Sequence, residues 1–199
     1  MLKKLLLATN NEAKVREYKG LLQALPLELV TLAQEGITTV VSEVGESLEE
    51  NARLKATALS TESGLVALAD DSGLEVDVLG GEPGCLSARY AGEGASDRER
   101  IDYLLARLKG VPGEKRSARF RCVIAVAMPE GRVEFCSGEC QGFITLEPRG
   151  RGGFGYDPIF YLPELDRTMA ELPLKSKNRV SHRGQAARKL PPVLARLGI

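Results

Sequence analysis

The most constraining feature of the sequence is a short apolar run that leads directly into two adjacent carboxylates. Residues 65–69 (LVALA) lie between Gly64 and the pair Asp70 and Asp71, and an apolar run with these boundaries predicts a buried strand. In open α/β folds, ligands bind at the carboxyl edge of the sheet, so a strand that ends in residues 70–73 (DDSG) predicts an acidic ligand site. Carboxylates this close share a proton or bind a cation. The same residue types also form surface turns, and these residues alone leave both interpretations open.

The composition excludes several classes of partner. The chain has 199 residues, which suits a single domain of two lobes, residues 1–199, with a substantial core. Lysine plus arginine and aspartate plus glutamate both number 27, so no net basic charge attracts nucleic acid. The N-terminal apolar run is too short for a signal peptide, and no apolar run approaches the length of a membrane span. We therefore expect a cytoplasmic protein that binds neither nucleic acid nor membrane.

The four cysteines predict reduced thiols. Cys85, Cys122, Cys136 and Cys140 form no C-x-x-C pair, and the chain has one histidine, so ligands for a metal are short. Cys136 and Cys140 are four apart in a predicted strand and point to one face, which leaves a metal site open.

The N-terminal residues predict a strand, a polar turn and a helix. Residues 2–8 are apolar after two lysines, and apolar side chains recur at helical spacing from near Asn11 to a point before Pro26. Such a turn offers backbone N–H groups to an anion, and Lys14 in the first helical turn can reach a bound phosphate. The alternative is that Asn11 caps the helix and Lys14 is solvated.

A second predicted helix carries polar side chains on one face. Residues 27–32 predict a strand before it and residues 33–46 an irregular segment, and Ser47 with Glu50 forms the S-x-x-E pattern that begins a helix. Asn51 and Lys55 are four residues apart among small apolar neighbours. A lysine there extends to solvent or pairs with a buried carboxylate. Glu43 and Glu50 flank the start of this helix and could offer oxygens to a hard cation.

The third helix and the strands after it complete a mixed sheet. Residues 96–99 (SDRE) form a second S-x-x-E pattern, and the apolar spacing that follows predicts a purely structural helix ending at Gly110. Residues 118–127, 133–136 and 141–146 predict strands linked by hairpins. Antiparallel strands beside strand–helix units indicate a mixed α/β sheet.

Two later segments are candidate ligand-binding segments. Residues 149–155 are rich in glycine and are followed by Tyr156 and Asp157; glycines allow close approach to a ligand, and an aromatic ring stacks on a base. A glycine-rich turn whose aromatic residues face the core is the alternative.

Residues 175–184 concentrate cations and the only histidine. Ser181 is predicted to cap a helix that residues 191–192 (PP) break, which would put His182 and Arg183 at its positive end, where an anion or a carbonyl oxygen binds. A structural histidine and a solvated charged face are the alternatives.

Four motifs taken together carry a family resemblance. In chain order they are T-x-N-x-x-K, E-x-G followed by E-N-A-x-x-K-A, A-D-D-S-G-L, and F-G-Y-D-P followed by S-H-R-G. The combination, which spans residues 9–184, closely resembles the HAM1-like pyrophosphatases of non-canonical purine nucleoside triphosphates. One departure is Leu48, where family members often have an aromatic residue. Since residues 50–52 (ENA) are intact, we expect this change to affect packing alone.

The resemblance implies a fold, a reaction and a site. It implies an α/β fold with a long central mixed β-sheet flanked by helices, two lobes with a nucleotide cleft between them, and a homodimer. Glu43 and Asp71 would bind Mg²⁺, Asp71 would also activate water, and Lys55 would pair with the acidic cluster that includes Asp70. The triphosphate would be held by Thr9, Asn11 and Lys14, the nucleotide also contacted by Asn10 and Ser72, and the base and sugar held by Phe154, Gly155, Tyr156, Asp157, Lys177, His182 and Arg183.

The implied reaction is Mg²⁺-dependent hydrolysis of ITP, dITP and XTP to the monophosphate and pyrophosphate, which cleanses the nucleotide pool. Phosphoryl chemistry depends on charge neutralisation and positioning, which these residues can supply. Donors from His182, Arg183 or backbone N–H groups would favour a 6-keto base over adenine. Two alternatives stay open: a pyrophosphatase for other damaged or pyrimidine nucleotides, and a nucleotide- or RNA-binding module without catalysis.

Overall fold

A computed structural model describes residues 2–199 and has a mixed α/β architecture, as the sequence predicts. The strands are β1 (Lys3–Leu7), β2 (Leu27–Thr31), β3 (Val66–Val76), β4 (Pro83–Gly84), β5 (Ser117–Ala127), β6 (Val133–Ile144), β7 (Phe160–Leu162) and β8 (Arg167–Thr168). The helices are α1 (Glu12–Leu21), α2 (Leu48–Ser63), α3 (Asp97–Arg107), α4 (Leu174–Val180), α5 (His182–Ala187) and α6 (Leu190–Arg196). The eight strands form one sheet in the order β2-β1-β3-β5-β6-β7-β8, with β4 paired to β3. β1 is parallel to β2 and β3, whereas β7 is antiparallel to β6 and β8.

The first two helices begin where the sequence places them. Asn11 is the N-cap of α1, and its side-chain oxygen accepts from the backbone N–H groups of Ala13 at 2.9 Å and Lys14 at 3.2 Å. Ser47 caps α2 by accepting from the N–H of Glu50 at 3.1 Å. The predicted reciprocal bond is absent from this cap, since the Glu50 carboxylate accepts instead from Glu46 N at 3.0 Å. Glu50 therefore ties the preceding irregular segment to the helix.

The prediction that a strand ends at the two aspartates is wrong. β3 continues through Asp70 and Asp71 to Val76, and β4 pairs with its later part. The parallel pairing with β1 stops short, at Leu68. Ladder hydrogen bonds to other neighbours override the turn propensity of the Ser-Gly pair. Because successive side chains of a strand point to opposite faces, the two carboxylates have different surroundings.

Two other predictions of element boundaries need correction. The residues predicted as two strands, 133–136 and 141–146, belong largely to the single strand β6. The two prolines predicted to break a helix lie instead in the first turn of α6, where proline lacks no needed hydrogen bond. Ser181 is the C-cap of α4, a helix that was not predicted from the sequence, and α5 begins at His182 directly after Ser181, as predicted. The capping box of α3 is confirmed, with both Ser96–Glu99 bonds formed.

The chain divides into two compact units, each with its own apolar core. The first unit comprises the residues up to Asp71, Cys122–Gly138 and Arg183–Ile199, and the second comprises Ser72–Arg121 and Glu139–His182. The first core is built from β1, α1, β3, β5, α5 and α6, and the second from β3, α3, β5, β6 and the segment 156–169. No disulfide joins the four cysteines, and none of the helices within residues 2–199 is long and apolar enough to cross a membrane.

Candidate functional site

Lys55 is at the centre of an acidic cluster in the first unit, formed by Glu43, Asp70 and Asp71. This lysine lies two turns into α2, and its ammonium contacts Glu43 Oε1 at 2.6 Å and Asp71 Oδ1 at 3.0 Å. It also donates to the backbone oxygen of Asp70 at 2.8 Å. An ammonium has three N–H donors, so these contacts use all of them. Lys55 therefore holds two carboxylates together and keeps no donor for a substrate.

Lys14 approaches the same backbone oxygen but is less completely engaged. Its ammonium lies 3.3 Å from the Asp70 backbone oxygen and 3.0 Å from Asp70 Oδ1. With two acceptors for three donors, and a side chain 15% exposed, Lys14 retains a donor for a ligand. The backbone oxygen of Asp70 thus contacts two lysines: all N–H donors of Lys55 are used within the protein, and Lys14 keeps one donor.

Asn51 completes this cluster and was missed as a site residue. Fully buried on α2, it donates to Asp71 Oδ2 at 3.3 Å and accepts from Gly45 N at 2.8 Å. It therefore fixes the segment that carries Glu43 relative to Asp71. A Cβ on Gly45 would lie 2.8 Å from Asn51 Oδ1, so this close approach requires glycine. The four-residue spacing of Asn51 and Lys55 was the available signal.

Asp70 faces a different, fully buried charge network. Arg183 donates to Asp70 Oδ2 at 2.8 and 3.1 Å and to Glu17 Oε2 at 2.7 Å. Its guanidinium lies 5.9 Å from the ring centroid of Tyr18, and the Cys122 sulfur lies 3.8 Å from Asp70 Oδ2. Arg183 is 1% exposed, so its charge is satisfied inside the first unit. The surroundings are thus those of a buried ion pair, and the contact of Arg183 with a base stays a prediction.

The pKa values of the two adjacent carboxylates are shifted in opposite directions. Burial raises the pKa of Asp70, but the charges of Lys14 and Arg183 outweigh it and hold that pKa well below its ordinary value. Burial also raises the pKa of Asp71, and here Lys55 and Lys14 do not offset it. For Lys55, Asp71 and Glu43 outweigh burial and raise the pKa. Asp70 is thus a permanent anion, whereas Asp71 is a stronger proton acceptor than an ordinary carboxylate.

The other residues predicted to hold the triphosphate lie at the turn between β1 and α1. Thr9 Oγ1 accepts from Asn11 N at 3.2 Å, and Asn11 serves as the helix cap. Asn10 is exposed. The alternative considered for Asn11 is therefore confirmed, and it still leaves the turn open to a ligand.

A second group of predicted residues is assembled within the second unit. Asp157 Oδ2 accepts from Phe154 N at 2.9 Å and forms an ion pair with Lys177. The Lys177 ammonium lies 4.7 Å from the Phe154 ring centroid, and the Tyr156 hydroxyl donates to the backbone oxygen of Ser87 at 2.9 Å. Lys177 is buried, with its charge balanced by Asp157, so it is placed to shape this segment.

Two further predicted residues have distinct environments. The His182 ring stacks on Phe120, with centroids 4.7 Å apart and an interplanar angle of 15°, and is almost completely buried. Ser72 is half-buried in β3. Asp97 of α3, which was not predicted as a site residue, accepts from Gly155 N at 2.6 Å through its carboxylate. No sequence signal distinguished Asp97, because an acidic residue directly after the capping serine is already accounted for by its position at the helix N-terminus.

The donor chemistry in the first unit fits a hard divalent cation. Glu43 and Asp71 both contact the Lys55 ammonium, so their carboxylates lie close together, and Glu43 is partly exposed. Mg²⁺ is bound by one or two carboxylates together with phosphate oxygens and water. Within residues 2–199, no group of three or more His, Cys, Asp or Glu side chains forms a metal site. A cation here would thus depend on ligands from a substrate.

Comparisons with known proteins agree with this chemistry. The Ham1 family model matches residues 5–193. A dITP/XTP pyrophosphatase of Desulforamulus reducens is 50% identical over 196 residues, which cover 98% of each chain. A dITP/XTP pyrophosphatase of Bacillus licheniformis is 47% identical over 193 residues, or 97% of this chain and 98% of that protein. A HAM1 protein structure from Coxiella burnetii superposes with a TM-score of 0.87 at 42% identity, covering 98% of this chain and all 100% of the other.

Proposed function

Because the chain belongs to the Ham1 family, we propose that it hydrolyses dITP, ITP and XTP to the monophosphate and pyrophosphate in a Mg²⁺-dependent reaction, and so cleanses the nucleotide pool. One observation carries the proposal. Lys14, which keeps a donor, and Lys55 both contact the backbone oxygen of Asp70, and Lys55 also contacts the carboxylates of Glu43 and Asp71. An anion-binding cation beside a carboxylate pair is what a metal–polyphosphate complex requires.

The cations have separate tasks. Lys14 donates its remaining N–H to a phosphate oxygen while Asp70 holds its ammonium in place, and Thr9 and Asn11 line the adjoining turn. Lys55 binds no substrate; it offsets the repulsion between Glu43 and Asp71, which allows both to stay ionised. The affinity for triphosphate then comes from local cations, in keeping with a formal net charge of zero.

The carboxylates supply the chemistry. Glu43 and Asp71 would hold Mg²⁺, which when bound neutralises phosphate charge and lowers the pKa of its water. Asp71 accepts a proton from the attacking water, a role that its raised pKa favours. Asn51 fixes the carboxylate that performs this step by donating to Asp71 Oδ2.

The second unit supplies the contacts to the base. Of the donors considered from the sequence, Arg183 is bound by buried carboxylates, and the N–H groups of Phe154 and Gly155 donate to Asp157 and Asp97. We infer that the ring of His182, which stacks on Phe120, or a further backbone N–H group donates to a 6-keto oxygen. A site that requires this acceptor rejects adenine, whose 6-amino group leaves the donor unpaired.

The assembly and location follow from the resemblance. We infer a homodimer that works in the cytoplasm and takes a small nucleotide as its partner, with no nucleic acid bound. Sedimentation equilibrium tests the assembly, and a mass of one chain at micromolar concentration contradicts it.

The experiment that tests the reaction separates its products. The protein is incubated with Mg²⁺ and each of dITP, ITP, XTP, dGTP, dATP and dCTP, and pyrophosphate and orthophosphate are quantified separately. We expect pyrophosphate from the first three substrates in equal amount to the monophosphate. Orthophosphate without pyrophosphate rejects the reaction, a preference for dCTP favours a pyrimidine pyrophosphatase, and binding without turnover favours a non-catalytic module.

A further inference from the structure

The helix that the sequence presents as purely structural sends one carboxylate to the candidate base-binding segment. Asp97 is the first residue of α3, directly after the capping serine, where an acidic side chain is favoured by the helix dipole. Its Oδ2 accepts from the backbone N–H of Gly155 at 2.6 Å, across 58 residues of sequence. The carboxylate therefore does more than complement its own helix.

Arg100 fixes the orientation of this carboxylate. The Arg100 guanidinium forms an ion pair with Asp97 Oδ1, one helical turn away, and so leaves Oδ2 for Gly155. Arg100 is itself held by the backbone oxygens of Ala88 at 2.7 Å and Ala95 at 2.9 Å. An anchored guanidinium with three partners has little rotamer freedom, and the carboxylate that it binds is fixed with it.

The segment 154–157 needs such an anchor. Gly155 has φ +60°, a left-handed conformation, and Gly153 before it has φ +71°. Phe154 N is held by Asp157 within the segment, and the Tyr156 hydroxyl is held by Ser87. The bond to Asp97 fixes the Gly155 backbone from outside the segment. Lys177 also holds Asp157 and the Phe154 ring, so loss of the bond to Asp97 loosens the Gly155 peptide in particular.

We propose that Asp97 is a positioning residue for base recognition: through the Gly155 N–H it fixes the segment that carries Phe154 and Tyr156. The proposal rests on the proposed function, because it assumes that this segment contacts the base. Asp97 touches no substrate in this account, and the proton-transfer residues belong to the separate Asp71 cluster. Its loss should therefore change substrate affinity and selectivity and leave the chemical step intact.

The test compares Asp97→Ala with two matched variants. Asp102→Ala removes an exposed carboxylate from the same helix, one that pairs with Arg98. Asp97→Asn keeps an oxygen that accepts from Gly155 N. For each protein, kcat and KM are measured with dITP and dGTP, together with Tm and the hydrogen exchange of the Gly155 amide.

For Asp97→Ala we expect KM for dITP to rise about tenfold, because misplacement of a binding group is costly, with kcat within about twofold of wild type. The preference for dITP over dGTP in kcat/KM should fall, and the Gly155 amide should exchange faster. Asp97→Asn should recover most of the affinity, and Asp102→Ala should match wild type.

The proposal is overturned if Asp97→Ala and Asp102→Ala have the same KM, or if the exchange of Gly155 does not change. It is also overturned if Asp97→Ala lowers kcat and Tm together with no change in selectivity, since that is a stability effect. If Asp97→Ala does not fold, Asp97→Ser decides, since its shorter side chain does not reach the Gly155 N–H and the exchange of that amide must still become faster. Exchange is measured without substrate, so wild-type protein that fails to hydrolyse dITP refutes the proposed function and not this contact.

Discussion

Replacement of Arg183 by methionine separates its two candidate roles. The resemblance implies that Arg183 contacts the base, whereas the structure buries it between Asp70 and Glu17 at 2.7–3.1 Å. Methionine fills much of the same volume but takes the Arg183 cation away from Glu17, while Asp70 keeps Lys14. The variant therefore measures how much the fold depends on this charge.

The expected loss is large because the pair is fully buried. Removal of one partner from a buried ion pair costs about 3–5 kcal/mol. In a chain of this size, 1 kcal/mol shifts Tm by about 2–4 °C, so Tm should fall by roughly 6–20 °C. The exposed pair Arg98–Asp102 is the control, and Arg98→Met should change the free energy of unfolding by less than about 1 kcal/mol.

Calorimetry and urea unfolding measure the loss of stability in Arg183→Met, and the pH dependence of that loss shows whether Asp70 is involved. Because Asp70 has a lowered pKa, its stabilising contribution is complete above about pH 4 and is lost only as the pH falls toward the folded-state value. The double variant Glu17→Gln/Arg183→Met should be less destabilised than the sum of the single variants. If Arg183→Met keeps the wild-type Tm and only raises KM, the structural role is refuted.

Three further variants test the acidic cluster. Asp71→Asn should lower kcat by about 100-fold or more and keep nucleotide affinity. Because burial raises the pKa of Asp71, its ionised form destabilises the free protein. The Tm of the variant should therefore exceed that of wild type at pH 7, and the two values should converge near pH 4. Lys14→Ala should raise KM by about tenfold to a hundredfold, measured by steady-state kinetics, and a loss confined to kcat contradicts its role. Asn51→Ala removes the bonds to Gly45 and Asp71 and should lower the free energy of unfolding by about 1–3 kcal/mol in urea, whereas the exposed Asn10→Ala should have no effect on it.

Local patterns in the sequence predict the parts of the fold that depend on local bonds. The caps at Asn11, Ser47 and Ser96 satisfy the first N–H groups of their helices, and these bonds involve residues two or three positions apart. The continuation of β3 past Asp71 depends on strands distant in the chain, so turn propensity gave the wrong end.

The site divides in the same way. The four-residue spacing places Asn51 and Lys55 on one face and leaves Lys55 either extended to solvent or paired with a carboxylate, and the structure shows the pairing. The partners of Arg183 and Asp97 lie far away in the sequence, and charge runs or cap patterns suggest solvent or a helix end in their place. A long-range ion pair leaves no local periodicity, which is why these two assignments needed the structure.

The most direct test of the account is a crystal structure with Mg²⁺ and an inosine triphosphate analogue that carries a non-hydrolysable imido bridge between its α- and β-phosphates. We predict that Glu43 and Asp71 bind the cation, that the same cation contacts phosphate oxygens, and that Lys14 donates to the triphosphate while still bound to Asp70. A triphosphate that lies away from the Asp71 carboxylate, or a cation bound elsewhere, would contradict the account.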